Sequence, residues 1–423
     1  MSPRVSFQTI GCRLNQAETA AMTAGFLAAG YAITPSDAAC DVAVVHGCAI
    51  TRKAERDSAR AARAVRLTSP DAVIIVAGCP AEMLGDALRG ECPADLIVGQ
   101  TGKFALPALL HGLHPDRFPA PPSAADAPLP AFDTKRAFVK VQDGCDFRCA
   151  YCVVPAARGA PRSRPLHEVA AELSRLAEQG FREVVLTGAN LGCYADGEHR
   201  LLDVIRAAEA VPGLERIRLS SIETTTAERA VIDHMASSAK LCRFLHLPLQ
   251  SGDDGILRAM GRRYTKSEYA EVVAYAAARI PDVGIGTDII TGFPGEDEAA
   301  FEATLRLLKS LPLSNLHVFP YSRRAGTRAA ELSGQVPVPV RKERVRRLLA
   351  VGATQRAAFA RRFLGRRVDV LVERVDADGT AHGWTGEYLP AEIRGAGGPV
   401  NRVVTLAVDA VDGDRLVGRV TGD

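Results

Sequence analysis

Three times near its start, the chain runs a short apolar strand into a Gly-Cys pair and then into a helix-like stretch. Val5 to Ile10 leads into Gly11 and Cys12, Val42 to His46 into Gly47 and Cys48, and Ala72 to Ala77 into Gly78 and Cys79. Short apolar strands that alternate with helical patterns imply a parallel, doubly wound sheet. In such sheets ligands gather outside the carboxyl ends of the strands. All three cysteines therefore belong on one edge, within reach of a common metal. The same pattern also admits a plainer reading, in which each cysteine is a small residue in a tight strand-to-helix turn.

A second trio lies in Gln142 to Cys152, QDGCDFRCAYC, where Cys145, Cys149 and Cys152 follow the apolar stretch Ala137 to Val141 with C-x3-C-x2-C spacing. Thiolates select zinc, copper(I) or iron-sulfur clusters. Structural zinc usually takes four ligands in two close pairs, and here the local count stops at three. Three thiolates suit a four-iron four-sulfur (4Fe-4S) cluster with one iron left open, since a fully ligated cluster takes four cysteines. Ten cysteines in 423 residues, with no secretion signal at the N-terminus MSPRVSFQTIG, point to thiols and metals in place of disulfides. Cys40, Cys92, Cys193 and Cys242 then read as buried small apolar side chains. No apolar run approaches the roughly 18 to 20 residues of a transmembrane helix, so a cytoplasmic enzyme without membrane contact is expected. With a net charge of only +3, any nucleic-acid surface must be found locally.

Residues 1–110 thus form one domain, and residues 111–136 change character. Pro115, Pro119, Pro121, Pro122, Pro128 and Pro130 lie there among alanines, as in an extended linker. Over residues 137–322 the alternation resumes. The strand candidates are Ala137 to Val141, Glu183 to Leu186, Arg216 to Leu219, Phe244 to Leu247, Val283 to Ile290 and Asn315 to Phe319. Six βα units suggest a barrel or an open partial barrel, with function at the carboxyl ends of the strands. Polar and glycine residues recur there: Thr187-Gly188-Ala189-Asn190, Ser220 to Glu223, His246 to Gly252, and Thr291 to Gly295. Each also has a plainer role open to it as a turn glycine, a helix cap or a satisfied strand-end histidine.

Several arginine-rich segments carry two readings, phosphate contact or solvated surface. They are Arg56, Arg60, Arg63 and Arg66 on one helix face, with Arg52 just ahead, and the loop holding Arg158, Arg162 and Arg164. Residues 323–363 form a basic helical connector. Val340 to Phe363 carries eight Arg or Lys against one acid, the clearest basic patch and a credible nucleic-acid surface. Residues 364–423 turn to strands, Arg367 to Arg374, Ala381 to Tyr388, Arg402 to Val408 and Arg415 to Val420, as in a small β-barrel. Trp384 and Tyr388 could stack on bases, although core packing is the safer assignment.

The run AFVKVQDGCDFRCAYCVVPAARGAPRSRP, together with FQTIGCRLNQAET, HGCAIT and AGCP, resembles the radical S-adenosylmethionine (SAM) methylthiotransferases of the MiaB and MtaB type, and the resemblance covers nearly the whole chain. It implies an α/β chain with an N-terminal doubly wound sheet, a central partial (βα)6 radical SAM barrel and a C-terminal TRAM-like barrel that binds RNA. It implies two 4Fe-4S clusters, an auxiliary one on Cys12, Cys48 and Cys79 and a SAM-cleaving one on Cys145, Cys149 and Cys152. SAM would meet Thr187, Gly188 and Asn190 through its amino group, Ser221 and Glu223 through its ribose or methionine portion, and the backbone at Tyr151 through its adenine. Asn15 lies near the auxiliary centre in the motif, but is read as capping the helix that follows.

The family reaction replaces a ring C–H of adenine with C–S–CH3. A radical derived from SAM removes the hydrogen, and sulfur held on the auxiliary cluster captures the carbon. The partners implied are tRNA, through its anticodon stem-loop, an electron donor and a sulfur source. QDGC and the ARG-containing loop look most like the MtaB branch, whose substrate is N6-threonylcarbamoyladenosine. The alternatives are N6-isopentenyladenosine, an aspartate of a ribosomal protein, and an RNA-binding protein whose metal centres are only structural.

Overall fold

The computed structural model describes residues 2–121, 130–132, 134–395 and 398–421. Much of the expected linker, including Pro122 and Pro128, lies outside the described residues. Before it, the helix Leu106–Leu113 runs three residues into the stretch read as linker.

Five strands, β1 (Arg4–Thr9), β2 (Ala32–Thr34), β3 (Val42–Gly47), β4 (Val73–Gly78) and β5 (Leu96–Val98), form a parallel sheet in the order β2-β1-β3-β4-β5. β3 and β4 are buried at every position, as continuous apolar runs in a parallel sheet must be. Alternate side chains feed cores on opposite faces, Val42, Val44 and Ile75 with Phe26 and Leu106, and Val45, Ile74 and Val76 with Ala62 and Val65. The cysteine-bearing turns need their glycines. At Gly78 φ is +90°, and a Cβ there would lie 2.7 Å from His46.

The central strands are β6 (Arg136–Lys140), β9 (Glu183–Thr187), β12 (Arg216–Leu219), β13 (Phe244–His246), β14 (Gly284–Thr291) and β15 (Asn315–Pro320). Two short hairpin pairings intervene, β7 (Gln142–Asp143) with β8 (Arg162–Ser163), and β10 (Ala195–Asp196) with β11 (His199–Arg200). The parallel sheets β12-β9-β6 and β13-β14-β15 are joined by parallel bridges Ile217↔Leu241 and Ser221↔His246. The strands thus follow chain order around an open partial barrel. Its interior is one large core that includes Val139, Val184, Leu219, Leu245 and Ile285. The N-terminal helix Arg13–Ala28 packs onto β6 through Ala17 and Phe138.

The last five strands, β16 (Arg367–Val375), β17 (Ala381–Thr385), β18 (Pro390–Ile393), β19 (Val403–Asp412) and β20 (Arg415–Val420), close a barrel in the order β16-β17-β18-β20-β19. The sequence pattern yields only four of them, because β18 is four residues long and opens on proline. β17 stops at Thr385, short of Tyr388, whose φ of +68° turns the chain. Trp384 and Tyr388 stack on each other at 4.8 Å, and Tyr388 also meets Phe244 at 4.8 Å. Both are half-buried and pack on Phe244 and on Arg13, Arg136 and Arg218, so they lie at the contact of the barrel with the rest of the chain and not in the barrel's own core.

The barrel is docked onto the core by buried charge. Glu183, fully buried, pairs with Arg216 and Arg218 at 2.9 Å each. The two arginines donate onward to the carbonyls of Trp384, Thr385 and Gly386.

The helix Val338–Arg361 is no free basic patch, which corrects the expectation from composition. Arg344 is buried against Glu296 and Glu298, Arg347 pairs with Glu298 and Glu302, Arg346 with Glu343, Arg356 with Asp414, and Arg362 with Asp282. The partner acids come mostly from other segments, so a local charge count misses them. The helix is a strut between core and barrel.

Candidate active site

Both cysteine trios open onto a single cavity of about 610 Å³. Cys12 precedes the helix Arg13–Ala28, Cys48 follows β3, and Cys79 opens the helix Cys79–Leu84 at the end of β4. They share one sheet edge, as the strand pattern requires. Cys145, Cys149 and Cys152 lie in the loop between β7 and the helix Val154–Arg158. That loop is held by Cys145 N donating to Gly159 O (3.1 Å) and Ala150 N donating to Met260 O (2.7 Å). Gly144 is required there: φ is +70°, and a Cβ would lie 2.1 Å from the Ala160 carbonyl oxygen.

The sulfurs are poised as acceptors. Phe147 N donates to Cys145 Sγ and Val154 N to Cys152 Sγ, both at 3.4 Å, and Gln100 Nε2 lies 3.3 Å from Cys79 Sγ. Burial pushes the Cys48 and Cys152 thiols up to about 12, so a metal must displace their protons to use them. Among the described residues, the one group of three His, Cys, Asp or Glu ligand atoms lying within 4.8 Å of one another is His246, Asp288 and His317. Neither cysteine trio is that tight. Three sulfurs spread more widely fit a multi-iron core better than a single tetrahedral ion.

Tyr151, Thr187, Gly188, Asn190, Ser221 and Glu223 all line this cavity. Gly188 lies against Gln142, and a Cβ there would fall 2.8 Å from its Oε1. The same Oε1 accepts from Asn190 N at 2.9 Å, while Gln142 Nε2 donates to Gly144 O at 2.8 Å. Gln142 thus ties the second strand end to the cysteine loop. The Ser221 hydroxyl lies 2.8 Å from His246 Nδ1. Sequence reasoning missed Arg262, which has no motif around it. Its guanidinium pairs with both oxygens of Glu223 and donates to Tyr151 OH (3.3 Å) and Cys149 Sγ (3.4 Å). Cys40, Cys92 and Cys242 are buried as expected, but Cys193 is only half-buried, near Cys145.

A buried ionic network reaches this cavity through Arg158. Glu18 is paired with Lys103 at 2.7 Å, Lys140 at 3.0 Å and Arg158 at 3.1 Å. Burial works against its charge, yet Arg158, Lys103 and Lys140 hold the carboxyl well below its ordinary range. Arg158 also donates to Asp143 Oδ1 (3.0 Å) and Asn15 Oδ1 (2.8 Å).

Both readings of Arg158, phosphate contact and solvated loop, are therefore corrected: it is a buried interdomain cation. Arg164 is likewise spent on Glu172 and the Lys140 carbonyl, and only Arg162 stands exposed. Asn15 caps nothing. Its Nδ2 donates to the carbonyls of Ile10 and Gly47, because Cys12 occupies the capping position. On the helix Arg52–Thr68, Arg66 pairs with Asp95, Arg60 with Asp57, and Arg63 donates to Glu91 O.

Residues 139–308 match the Radical SAM superfamily, and residues 4–99 match a family described as Uncharacterized protein family UPF0004. Across 379 residues the chain is 35% identical to the threonylcarbamoyladenosine tRNA methylthiotransferase MtaB of Aquifex aeolicus, covering 87% of this chain and 92% of that one. This chain belongs to the radical SAM methylthiotransferases. A second member of that family, the tRNA-2-methylthio-N(6)-dimethylallyladenosine synthase of Thermodesulfovibrio yellowstonii, is 33% identical over 390 residues, 90% of each chain. Among solved structures, the radical SAM methyltransferase TsrM of Kitasatospora setae, with cobalamin and a [4Fe-4S] cluster bound, aligns at a TM-score of 0.56 and 15% identity. That alignment covers 78% of this chain and 74% of TsrM, a likeness of fold. For a radical SAM methylthiotransferase the cofactors are SAM and a 4Fe-4S cluster, and the cavity supplies thiolates and polar strand ends suited to both. No helix of the described residues is long and apolar enough to cross a membrane.

Proposed function

We propose that the enzyme acts on tRNA in the cytoplasm, installing a 2-methylthio group on N6-threonylcarbamoyladenosine beside the anticodon, with two 4Fe-4S clusters in one cavity. The observation that carries this reading is the opening of two cysteine trios, from separate domains, onto one space. Cys145, Cys149 and Cys152 would hold the SAM cluster, and Cys12, Cys48 and Cys79 the auxiliary one. When bound, the first cluster with SAM supplies the radical that removes hydrogen from adenine C2, and the second supplies the sulfur.

The protein's own residues position and exclude. Thr187, Gly188 and Asn190 offer backbone and amide groups to the amino end of SAM, and the Glu223–Arg262 pair fixes the wall beside Cys149 and Tyr151. Ser221 faces the same space from the end of β12. The C-terminal barrel is read as a TRAM-like domain that contacts the RNA, and turnover requires an external electron donor and a sulfur source. An anticodon loop presents unstacked bases that such a cavity can accept.

Relatives named for threonylcarbamoyladenosine support this substrate, and relatives named for dimethylallyladenosine keep the isopentenyl nucleoside as the second reading. Mass spectrometry of tRNA nucleosides from cells lacking the gene tests both. Loss of the methylthio group from threonylcarbamoyladenosine alone supports the proposal. Loss from the isopentenyl nucleoside selects the second reading, and unchanged nucleosides with an altered ribosomal protein reject both.

A further inference from the structure

His246, Asp288 and His317 come from three adjacent parallel strands, at the end of β13, in β14 and in β15. Asp288 is in register with His317, and His246 with Gly286, two residues before Asp288. Side chains two apart along a strand share a face, so the sheet itself sets the three side by side. His246 Nε2 lies 3.2 Å and His317 Nδ1 3.1 Å from Asp288 Oδ1. All three residues line the cavity shared by the cysteines.

The outer nitrogens of both rings are held by polar side chains. His246 Nδ1 lies 2.8 Å from Ser221 Oγ, and His317 Nε2 lies 3.3 Å from the Asn315 side-chain amide. Metal-bound histidines are oriented in this way, through a hydrogen bond at the nitrogen that does not face the ion. The inward nitrogen of His246, whose side chain is only 8% exposed, reaches just the Asp288 oxygen that His317 also approaches. Two inward imidazole nitrogens that converge on one carboxylate oxygen, with all three ligand atoms within 4.8 Å of one another, form a donor set that one cation can share.

We propose that His246, Asp288 and His317 bind a divalent transition-metal ion, a site distinct in position and chemistry from both cysteine trios. Two imidazoles and one carboxylate suit zinc or iron(II) and leave coordination positions open. Those positions face the cavity, where a water or an oxygen donor of the substrate can fill them. The ligands stand on rigid strands, so little reorganisation accompanies binding.

The test uses the full-length protein with its cysteine sites reconstituted with iron and sulfide, so that no cluster thiol competes. Cobalt(II) is titrated in and read by low-temperature electron paramagnetic resonance with the clusters oxidised and silent, and zinc(II) is then added to displace it. The expected result is about one cobalt per chain, displaced by zinc, with affinity roughly tenfold or more weaker in His317→Ala and in Asp288→Asn. His317 is half-exposed, so its truncation leaves the core closed, and iron content and cluster absorbance report that each variant is intact. Equal cobalt binding in the parent and both variants would overturn the site. So would no binding at roughly millimolar cobalt, which leaves a hydrogen-bonded triad only. Neither result depends on which nucleoside is modified.

Discussion

Arg158 grips Glu18 with two hydrogen bonds of 3.1 Å each, one to each carboxylate oxygen, across 140 residues of sequence and the boundary between the N-terminal sheet and the barrel. Their side chains are 3% and 1% exposed. Paired donors on a planar carboxylate fix orientation as well as distance. The two domains are therefore registered to each other at one buried acid.

Removing that acid strands its partners. Glu18→Gln leaves Lys103 and Arg158 buried without a full counter-charge, and breaking a buried pair in this way costs about 3–5 kcal/mol. The urea midpoint should fall accordingly. Arg158→Lys should also destabilise, since an ammonium cannot reproduce the paired geometry. An unchanged midpoint in both variants would mean that the network does not join the domains.

The two cysteine trios should separate in their effects. Changing Cys145, Cys149 and Cys152 to alanine should abolish formation of 5′-deoxyadenosine from SAM under anaerobic reduction. The same change at Cys12, Cys48 and Cys79 should spare it and stop sulfur insertion. Chromatography of the SAM products together with iron analysis reads both. Equal loss of cleavage in the two variants would refute the division of labour.

Arg262 joins Glu223, Tyr151 and a cluster-loop sulfur through a single guanidinium. Arg262→Lys keeps the charge but loses the fork. SAM affinity should fall roughly tenfold, about 1.4 kcal/mol, with iron content preserved. Equilibrium binding of SAM to the reconstituted protein measures it, and an unaltered dissociation constant would count against this role.

Glu183 predicts the acid limit of barrel docking. Burial opposes its charge, but Arg216 and Arg218 bring the carboxyl down to about 2, below the roughly 4.3 of an unfolded glutamate. The stabilisation is therefore complete above about pH 5 and is lost as pH falls towards 2, about 3 kcal/mol in all. Glu183→Gln should remove this acid-sensitive component and leave Arg216 and Arg218 buried without their acid. Limited proteolysis between core and barrel as a function of pH checks the sign. Barrel release that rises with pH would contradict it.

The cysteines can be read from sequence because each trio is set by local rules, a C-x3-C-x2-C spacing in one loop and a Gly-Cys turn after each of three strands. The central strands were visible for the same reason, as apolar runs of strand length. The arginines misled because their meaning lies in partners far along the chain. Arg158 answers to Glu18, and Arg344 to Glu296 and Glu298. Local charge density could not reveal those acids, nor could it show that Arg262 folds back onto Cys149. Strand β18 was hidden by its brevity and its leading proline.

The joint at Glu18 has a consequence for how such an enzyme can be tuned. The seat of the N-terminal sheet on the barrel is held by a carboxylate that belongs to neither trio of cysteines, so a substitution at Glu18 alters how the two domains meet while leaving all six thiols in place.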